Sequence, residues 1–533
     1  MFNKPVTHLL GLLLLSTFLD PFASAQSQSL FQGTPLPRDI SNLLSSINKD
    51  SKLYQIYKQY RENRDGLQKA AKRLTLSEAI RMGLATSPLL ASTVAEIQAS
   101  EWTGVAITRE WVPTLSFKTP TPGVLGYNTT STTINVDKQG DGSEGSTQNS
   151  FKYGFRSNPY ADLSWSFFDP SRGSRQAARG SRSEALRNRL TFTTRELILA
   201  IQIAYTNLQE NLEREKDLIE LFNQAIHIYM VASKTGRPPG EVSRLEAQAV
   251  SLLISRIRAH ELSIQSMNAL ASLINLEPGK LAMPAEPAVV IPIWPESRVD
   301  SIQQALAERE ELRANALEMQ ALLSDARAIR LKVLPTLALT AQLQRNALNE
   351  QGGAFNDNQF QSQTESIGYN TFLGLTFDWK LFDGGIRNAE ANASDAKARQ
   401  TLAQAELIRL RIGREVGDAY ATFVASKIQV DAARADVDAS SRSLESAIQT
   451  YEAGRHTDEG TTVVQALTKL QGALNAYRTL VGDQNTSVYQ LYRGTSTWPK
   501  GTESLVEAQY QRWLPAISKT AVPSSNGAPS PQP

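Results

Sequence analysis

Alternation of apolar and polar residues with a period of two marks four stretches of the chain, at 111–118, 160–168, 332–344 and 370–382. In the last, Leu373, Leu375, Phe377, Trp379 and Leu381 alternate with Gly374, Thr376, Asp378 and Lys380. Leu163, Trp165 and Phe167 oppose Asp162, Ser164 and Ser166, while Leu337, Leu339, Ala341 and Leu343 oppose Ala338, Thr340, Gln342 and Gln344. The pattern predicts strands with one apolar face, as in a soluble sandwich or an outer-membrane barrel. Each pair of strands precedes a long run free of proline, 173–233 and 385–453. At about 1.5 Å per residue these runs predict helices roughly 90–100 Å long, too long for a compact domain. Their apolar stripe is thin and small near the strands, with Ala389, Ala391, Ala393, Ala396, Ala398, Ala403 and Ala405. A wall one helix thick and wet on both sides needs no more.

The two strand-plus-helix blocks repeat one plan. Trp111-Val112-Pro113-Thr114-Leu115 is echoed by Val333-Leu334-Pro335-Thr336-Leu337, and Phe168-Asp169 by Phe382-Asp383. Ala204-Tyr205 matches Ala419-Tyr420, and Gly236-Arg237 matches Gly454-Arg455. Ordered landmarks of different chemistry point to duplication of a structural unit. The first repeat is read at 74–276, with a short helix at 241–274 after the long one, and the second at 298–493, with its short helix at 462–489. A proline-rich linker at 277–297 joins them. An opening helix runs from near Thr75 or Ser77 to about Arg109, and again from about Val299 to Lys332. Pro113 and Pro335 switch each one into a strand, because the residue before proline disfavours the helical region. Loops 119–159 and 345–368 are polar and read as the long loops joining each strand pair.

Three features favour lipid over a soluble sandwich. The strands are long enough to cross a bilayer when tilted. Aromatics at their ends (Trp111, Tyr160, Tyr369, Trp379 and Phe382) suit the headgroup level. No further strands are apparent to form a second sheet. An open four-stranded sheet is forbidden in hydrocarbon, so several copies must close one barrel. Two copies give eight strands, the smallest natural barrel, and three give twelve with room for water.

The remaining composition mostly excludes. Lys4, the Leu9–Leu15 apolar run and Ala23-Ser24-Ala25 predict a cleaved signal peptide at 1–25, leaving 26–73 as an N-terminal periplasmic extension with a helix from about Ile40 to Lys72. The Pro/Ser-rich end, 494–533, reads as a flexible tail. A net charge of +2 gives no ground for a nucleic-acid partner, and the absence of cysteine removes disulfides, thiolate sites and a lipidated N-terminal cysteine. Of the four histidines, His8 falls in the signal, and His227, His260 and His456 form no metal or catalytic motif. Asp169 and Asp383 read as strand-end turn residues rather than an acid/base pair. The chain is expected to be no enzyme and to need no cofactor or metal.

Leu76-Ser77-Glu78-Ala79-Ile80 with Ser87-Pro88-Leu89-Leu90, the Pro113 and Pro335 switches, Leu381-Phe382-Asp383-Gly384-Gly385 and Tyr451-Glu452-Ala453-Gly454-Arg455 together resemble the TolC family of outer-membrane efflux and secretion channels, over about 74–493. The resemblance implies a mostly α protein with a small β part. In it a trimeric, twelve-stranded barrel, four strands per chain, continues into a long periplasmic helical barrel. It also implies a homotrimer in the outer membrane that docks with a periplasmic adaptor and an inner-membrane transporter. Gly236, Arg237, Gly454 and Arg455 then fall at adaptor-docking tips, and Glu445 falls where the family carries an acidic constriction. The tips depart from the family pattern: Pro238-Pro239-Gly240 at the first, and a lengthened Thr457-Asp458-Glu459-Gly460-Thr461 at the second. A structural periplasmic coiled-coil scaffold without a pore is the alternative in a different class.

Overall fold

The computed structural model of the protein describes residues 52–69, 71–119, 126–136, 146–291, 294–355, 360–454, 459–499 and 501–518. The signal at 1–25, the extension up to residue 51, Arg455 and His456 at the second tip, and the tail beyond 518 lie outside these residues.

Each repeat opens with two helices where the sequence reading had one. These are α2 (Leu76–Thr86) and α3 (Pro88–Arg109) in the first repeat, and α6 (Arg298–Glu308) and α7 (Glu310–Leu331) in the second. The lengths agree, 11 and 22 residues in both halves. Thr75 starts α2 with a capping box to Glu78. Ser87, at φ −64° and ψ 117°, then breaks the helix because Pro88 follows it, and its hydroxyl caps α3. In the second repeat Arg309 makes the same break without proline, its guanidinium held by Glu311 and Glu415, each at 2.8 Å.

The long helices are α4 (Arg172–Lys234) and α8 (Ile386–Ala453), followed by α5 (Pro239–Leu273) and α9 (Glu459–Gly494). Near the sheet, α3, α4, α7 and α8 lie side by side; at the far end the order is α5, α4, α9, α8. The wall is therefore four lanes wide: two lanes are single helices and two are half-length helices meeting end to end. At one such meeting the Thr86 hydroxyl donates to the carbonyl of Ile274 at 3.0 Å, and the Asn275 amide to that of Thr86 at 3.2 Å. Val416, Phe423, Val430, Val437, Leu444 and Tyr451 of α8 recur every seventh residue and are all buried. That spacing imposes a left-handed supercoil on the wall.

All the accessory elements lie along one face of α4. Thr191 bonds Tyr510 of α10 (Thr502–Ser518), and Ile201 fills the space at Gly83 of α2. Tyr205 donates to the carbonyl of Leu74 in β1 (Lys72–Leu74), which pairs in parallel with β6 (Ala282–Pro284) of the linker. Farther along, Glu215 accepts from Tyr60, and Phe222 stacks on Tyr57, both from α1 (Lys52–Lys69). The expectation of a flexible tail from 494 is corrected for the described part. Residues 495–498 and α10 are anchored, because Arg195, buried and paired with Glu310 at 2.7 Å, lies 3.7 Å over the Trp498 ring.

The main sheet has six segments in four lanes. β2 (Thr114–Lys118) and β3 (Gly126–Val136) form one interrupted lane; β4 (Ser146–Ser157) and β5 (Tyr160–Phe168) form the next. β7 (Thr336–Phe355) pairs β5 along its first part and β4 along its second, and β8 (Phe360–Asp378) pairs β7 throughout. All pairings in this sheet are antiparallel. The regions read as polar loops, 119–159 and 345–368, are thus largely strand. A strand with water on both faces needs no apolar side, so composition alone cannot tell it from a loop. The strand starts predicted at 111 and 332 shift inward past the prolines, to Thr114 and Thr336, because the preceding residues close turns at the helix ends; the start at Tyr160 holds, and the last strand begins earlier than predicted, at Phe360.

One buried carboxyl bears on stability. Glu210 of α4 packs directly on Gly482 of α9, where only a glycine leaves it room, and its Oε1 is buried without a partner. Burial, with Asp483 adding repulsion and Arg214 and Arg478 opposing it, pushes its pKa from 4.5 up to about 8. The folded state therefore holds a proton that the unfolded chain releases. This stabilisation is full below pH 4.5 and is lost as pH rises towards 8. Glu210→Gln should flatten that decline, read as a melting temperature that changes less between pH 5 and about 9 than in the parent.

Candidate functional site

The sheet register brings the apolar residues of the four lanes into rows. Leu115, Leu163, Ala341 and Leu373 are direct neighbours in succession; Trp165, Leu339 and Leu375 form the next row, and Leu337 pairs Phe377. This face is bare in the single chain: Leu115 is 75% exposed and Leu373 73%. An apolar patch of this extent needs lipid or a partner. The opposite face is polar. Ser116, Asp162 and Gln342 share a row, the hydroxyls of Thr340 and Thr376 lie 3.1 Å apart, and Lys118 reaches Asp162 at 3.9 Å. Phe372 is the exception, folded flat over Gly374 on that face.

The five aromatics separate by position. Tyr369 lies on the apolar face at its far end, and Trp379 and Phe382 follow the near end of β8. Ten residues between Tyr369 and Trp379, tilted about 40°, give a band roughly 25 Å tall, the height of an outer-membrane barrel's apolar belt. Trp111 sits at the same near end beside Trp165, while Tyr160 pairs Lys118 in a row on the polar face.

At the near end both repeats use the same joint. The indole of Trp165 donates to the carbonyl of Trp111 at 2.8 Å, and that of Trp379 to the carbonyl of Val333 at 3.0 Å. Each indole ties the end of the second strand to the turn that Pro113 or Pro335 terminates. Asp169 accepts from the Ser171 backbone amide and from Arg175; Asp383 accepts from the amides of Gly385 and Arg387 and from the Arg387 side chain. Burial pushes Asp169 up, but Ser171 and Arg175 outweigh it and hold the carboxyl below its usual range. The Arg387 side chain does the same for Asp383. Arg172 and Arg387 also donate to strand-end carbonyls, of Ser166 and Lys380, each at 2.8 Å. Both aspartates close turns, as their positions suggested. The indole staples went unpredicted, although a shared Trp-x-x-Phe-Asp, at 165–169 and 379–383, was their signal.

At the other end of the wall, α4 and α8 each stop at a glycine with positive φ, Gly236 at 65° and Gly454 at 69°, which only glycine adopts without strain. Arg237 joins the two tips: it donates to the carbonyl of Tyr451 at 2.8 Å and lies 4.8 Å over that ring. His227 of α4 approaches Glu452 of α8 at 3.5 Å just above. Glu445 is exposed on α8, nine residues before Gly454. Among the described residues no cluster of ligands suits a metal, and no helix is long and apolar enough to cross a membrane.

Residues 301–495, nearly the whole second repeat, match the family of outer membrane efflux proteins. That segment is similar to the family over the matched residues. Its fold is that of solved outer-membrane channels. The Campylobacter jejuni CmeC outer membrane channel is 15% identical, with 81% of this chain and 89% of that one aligned at a TM-score of 0.60. For the Neisseria gonorrhoeae MtrE outer membrane channel the values are 18%, 79%, 89% and 0.58, and for the outer membrane protein VceC of Vibrio cholerae 16%, 79%, 96% and 0.57. No curated protein matches the chain. The fold is thus the one these outer-membrane channels have, a small sheet continued by a long helical domain, in line with the sequence resemblance.

The Arg237 bridge is half-buried, and a hydrogen bond from a charged donor adds about 1 kcal/mol under such partial screening. Arg237→Ala should speed amide exchange in the last turn of α8, 448–453, by roughly fivefold while leaving 430–440 unchanged. Equal exchange in parent and variant would show that the bridge does not hold the tips together.

Proposed function

We propose that the chain is the outer-membrane conduit of a three-part export system. Three copies close one barrel of twelve strand lanes, and the same three copies close one periplasmic tube of twelve helix lanes. The observation that supports this reading is the sheet itself. One face is continuously apolar, and its outer lanes, β2/β3 and β8, each leave an edge with no neighbour among the described residues. Such edges are intolerable in hydrocarbon and must pair with other copies.

In this reading solute passes without a covalent step, so the protein is no enzyme, and an inner-membrane transporter supplies the energy. The cargo is small molecules or secreted proteins. A periplasmic adaptor engages the tips at Gly236, Arg237, Gly454 and Arg455, releasing a closed resting state in which Arg237 bridges the two hairpins. Glu445 from three copies forms an acidic ring that favours cations near the narrow mouth. The rival, a pore-free periplasmic scaffold, leaves the exposed apolar face of the sheet in water.

Because the chain has no cysteine, introduced pairs report cleanly. Ser116→Cys on β2, combined in turn with Gly374→Cys, Thr376→Cys or Asp378→Cys on β8, should give covalent trimers on oxidation in outer-membrane fractions. Only monomers across the series would remove the barrel and leave the scaffold. In planar bilayers Glu445→Gln should move the reversal potential in a salt gradient towards zero; an unchanged cation preference would remove the ring.

A further inference from the structure

Opposite the face that carries α1, α2, β1 and α10, the wall holds a groove of about 710 Å³ with α4 as its floor and α3 and α7 as its sides. Thr191 faces α10, and Arg189 lies two residues away, about 200° around the helix. Arg182 and Arg189, seven residues apart, share the groove side with Arg179. The volume is that of a small-molecule site. In a tube whose accessory elements lie outside, this groove faces the lumen.

The arginines there are not all accounted for by the fold. Arg175, near the joint, is held by Glu110 and Asp169, and Arg182 by Asp325 and Glu318. Arg179 and Arg189 pair with no acid among the described residues. Counted with the spacing that relates Asp169 to Asp383, the second repeat has Ala389, Ala393, Ala396 and Ala403 at these four positions. All four alanines are exposed in the single chain, so the fold does not require arginine at these positions.

Three acids also line the groove, and they do not cancel the pair. Glu318 is taken by Arg182, and Glu311 by Arg309 and Arg493. Glu96, exposed on α3, is the one left unpaired among the described residues. The groove's lining also includes apolar side chains, Leu186, Phe192 and Ile408.

We infer that this groove binds organic anions that carry an apolar body, anionic groups being held at Arg179 or at Arg189, about 15 Å apart along α4, and the body against Phe192 and Leu186. Guanidinium groups suit carboxylate, sulfonate and phosphate, which they meet through paired donors. The site makes the barrel-proximal lumen selective for anionic amphiphiles, well away from the cation-favouring tip. Its placement inside a lumen rests on the channel reading; its binding chemistry does not.

The test is titration calorimetry of naphthalene-1,5-disulfonate into the detergent-solubilised full chain. Arg179→Gln with Arg189→Gln, which keeps polar side chains and removes both charges, should weaken binding about tenfold, and Glu96→Gln should strengthen it two- to threefold, roughly the effect of one screened charge. Arg187→Gln, on the opposite side of α4 and paired with Glu101, should change nothing. Inorganic sulfate should bind more weakly than the disulfonate. Unchanged affinity in the double variant overturns the site, and sulfate binding equal to the disulfonate overturns the role of the apolar lining. Conductance measured in parallel separates the two readings: a conducting protein with unaltered binding loses only the site, whereas altered binding without conductance keeps the site and removes the channel.

Discussion

Backbone hydrogen bonding in a medium without water governs this molecule. A strand edge exposed to hydrocarbon leaves a row of amide and carbonyl groups with nowhere to turn, each costing several kcal/mol. The four lanes of β2/β3, β4/β5, β7 and β8 satisfy one another internally and leave only their outer edges open. The rest of the chain is matched to that sheet. It has four helix lanes to four strand lanes, and the two repeats contribute two of each.

Duplication explains how so few devices suffice. Equal helices of 11 and 22 residues, a glycine at each tip and one indole staple at each joint recur with different neighbours. Where the repeats diverge, the divergence has chemical content. Only on the first repeat, among the described residues, does α1 of the N-terminal extension pack, its Tyr57 and Tyr60 sitting with Phe222 around the buried Arg256, and the groove arginines on α4 replace alanines on α8. Packing common to both halves serves the fold, and what differs between them is free to serve solute or partner.

Much of this was legible from residue order. Period-two alternation located the apolar-faced part of the four lanes, since an apolar row opposed to a polar row has few other causes. The long proline-free runs announced α4 and α8, and glycine followed by Arg237 marked the first tip. The strands above the membrane were not legible: Thr129 to Asn135 and Gln361 to Ser366 carry the polarity of a loop, and only pairing reveals them as sheet. The break at Arg309 was hidden because ion pairs to Glu311 and Glu415, distant or local, do what Pro88 does openly in the first repeat. The groove escaped because its arginines come from one helix and its side walls from two others.

The doubled joint between sheet and helices has a mechanical consequence. Proline, indole and the Asp–Arg turn each remove a degree of freedom at the same place in both repeats, so the sheet and the wall cannot hinge against each other. Torque applied at the hairpins must then be absorbed as a change of superhelical pitch along α4 and α8, and it fades before it reaches lipid. In the proposed channel the sheet end is then a fixed collar, and any iris belongs at the opposite pole.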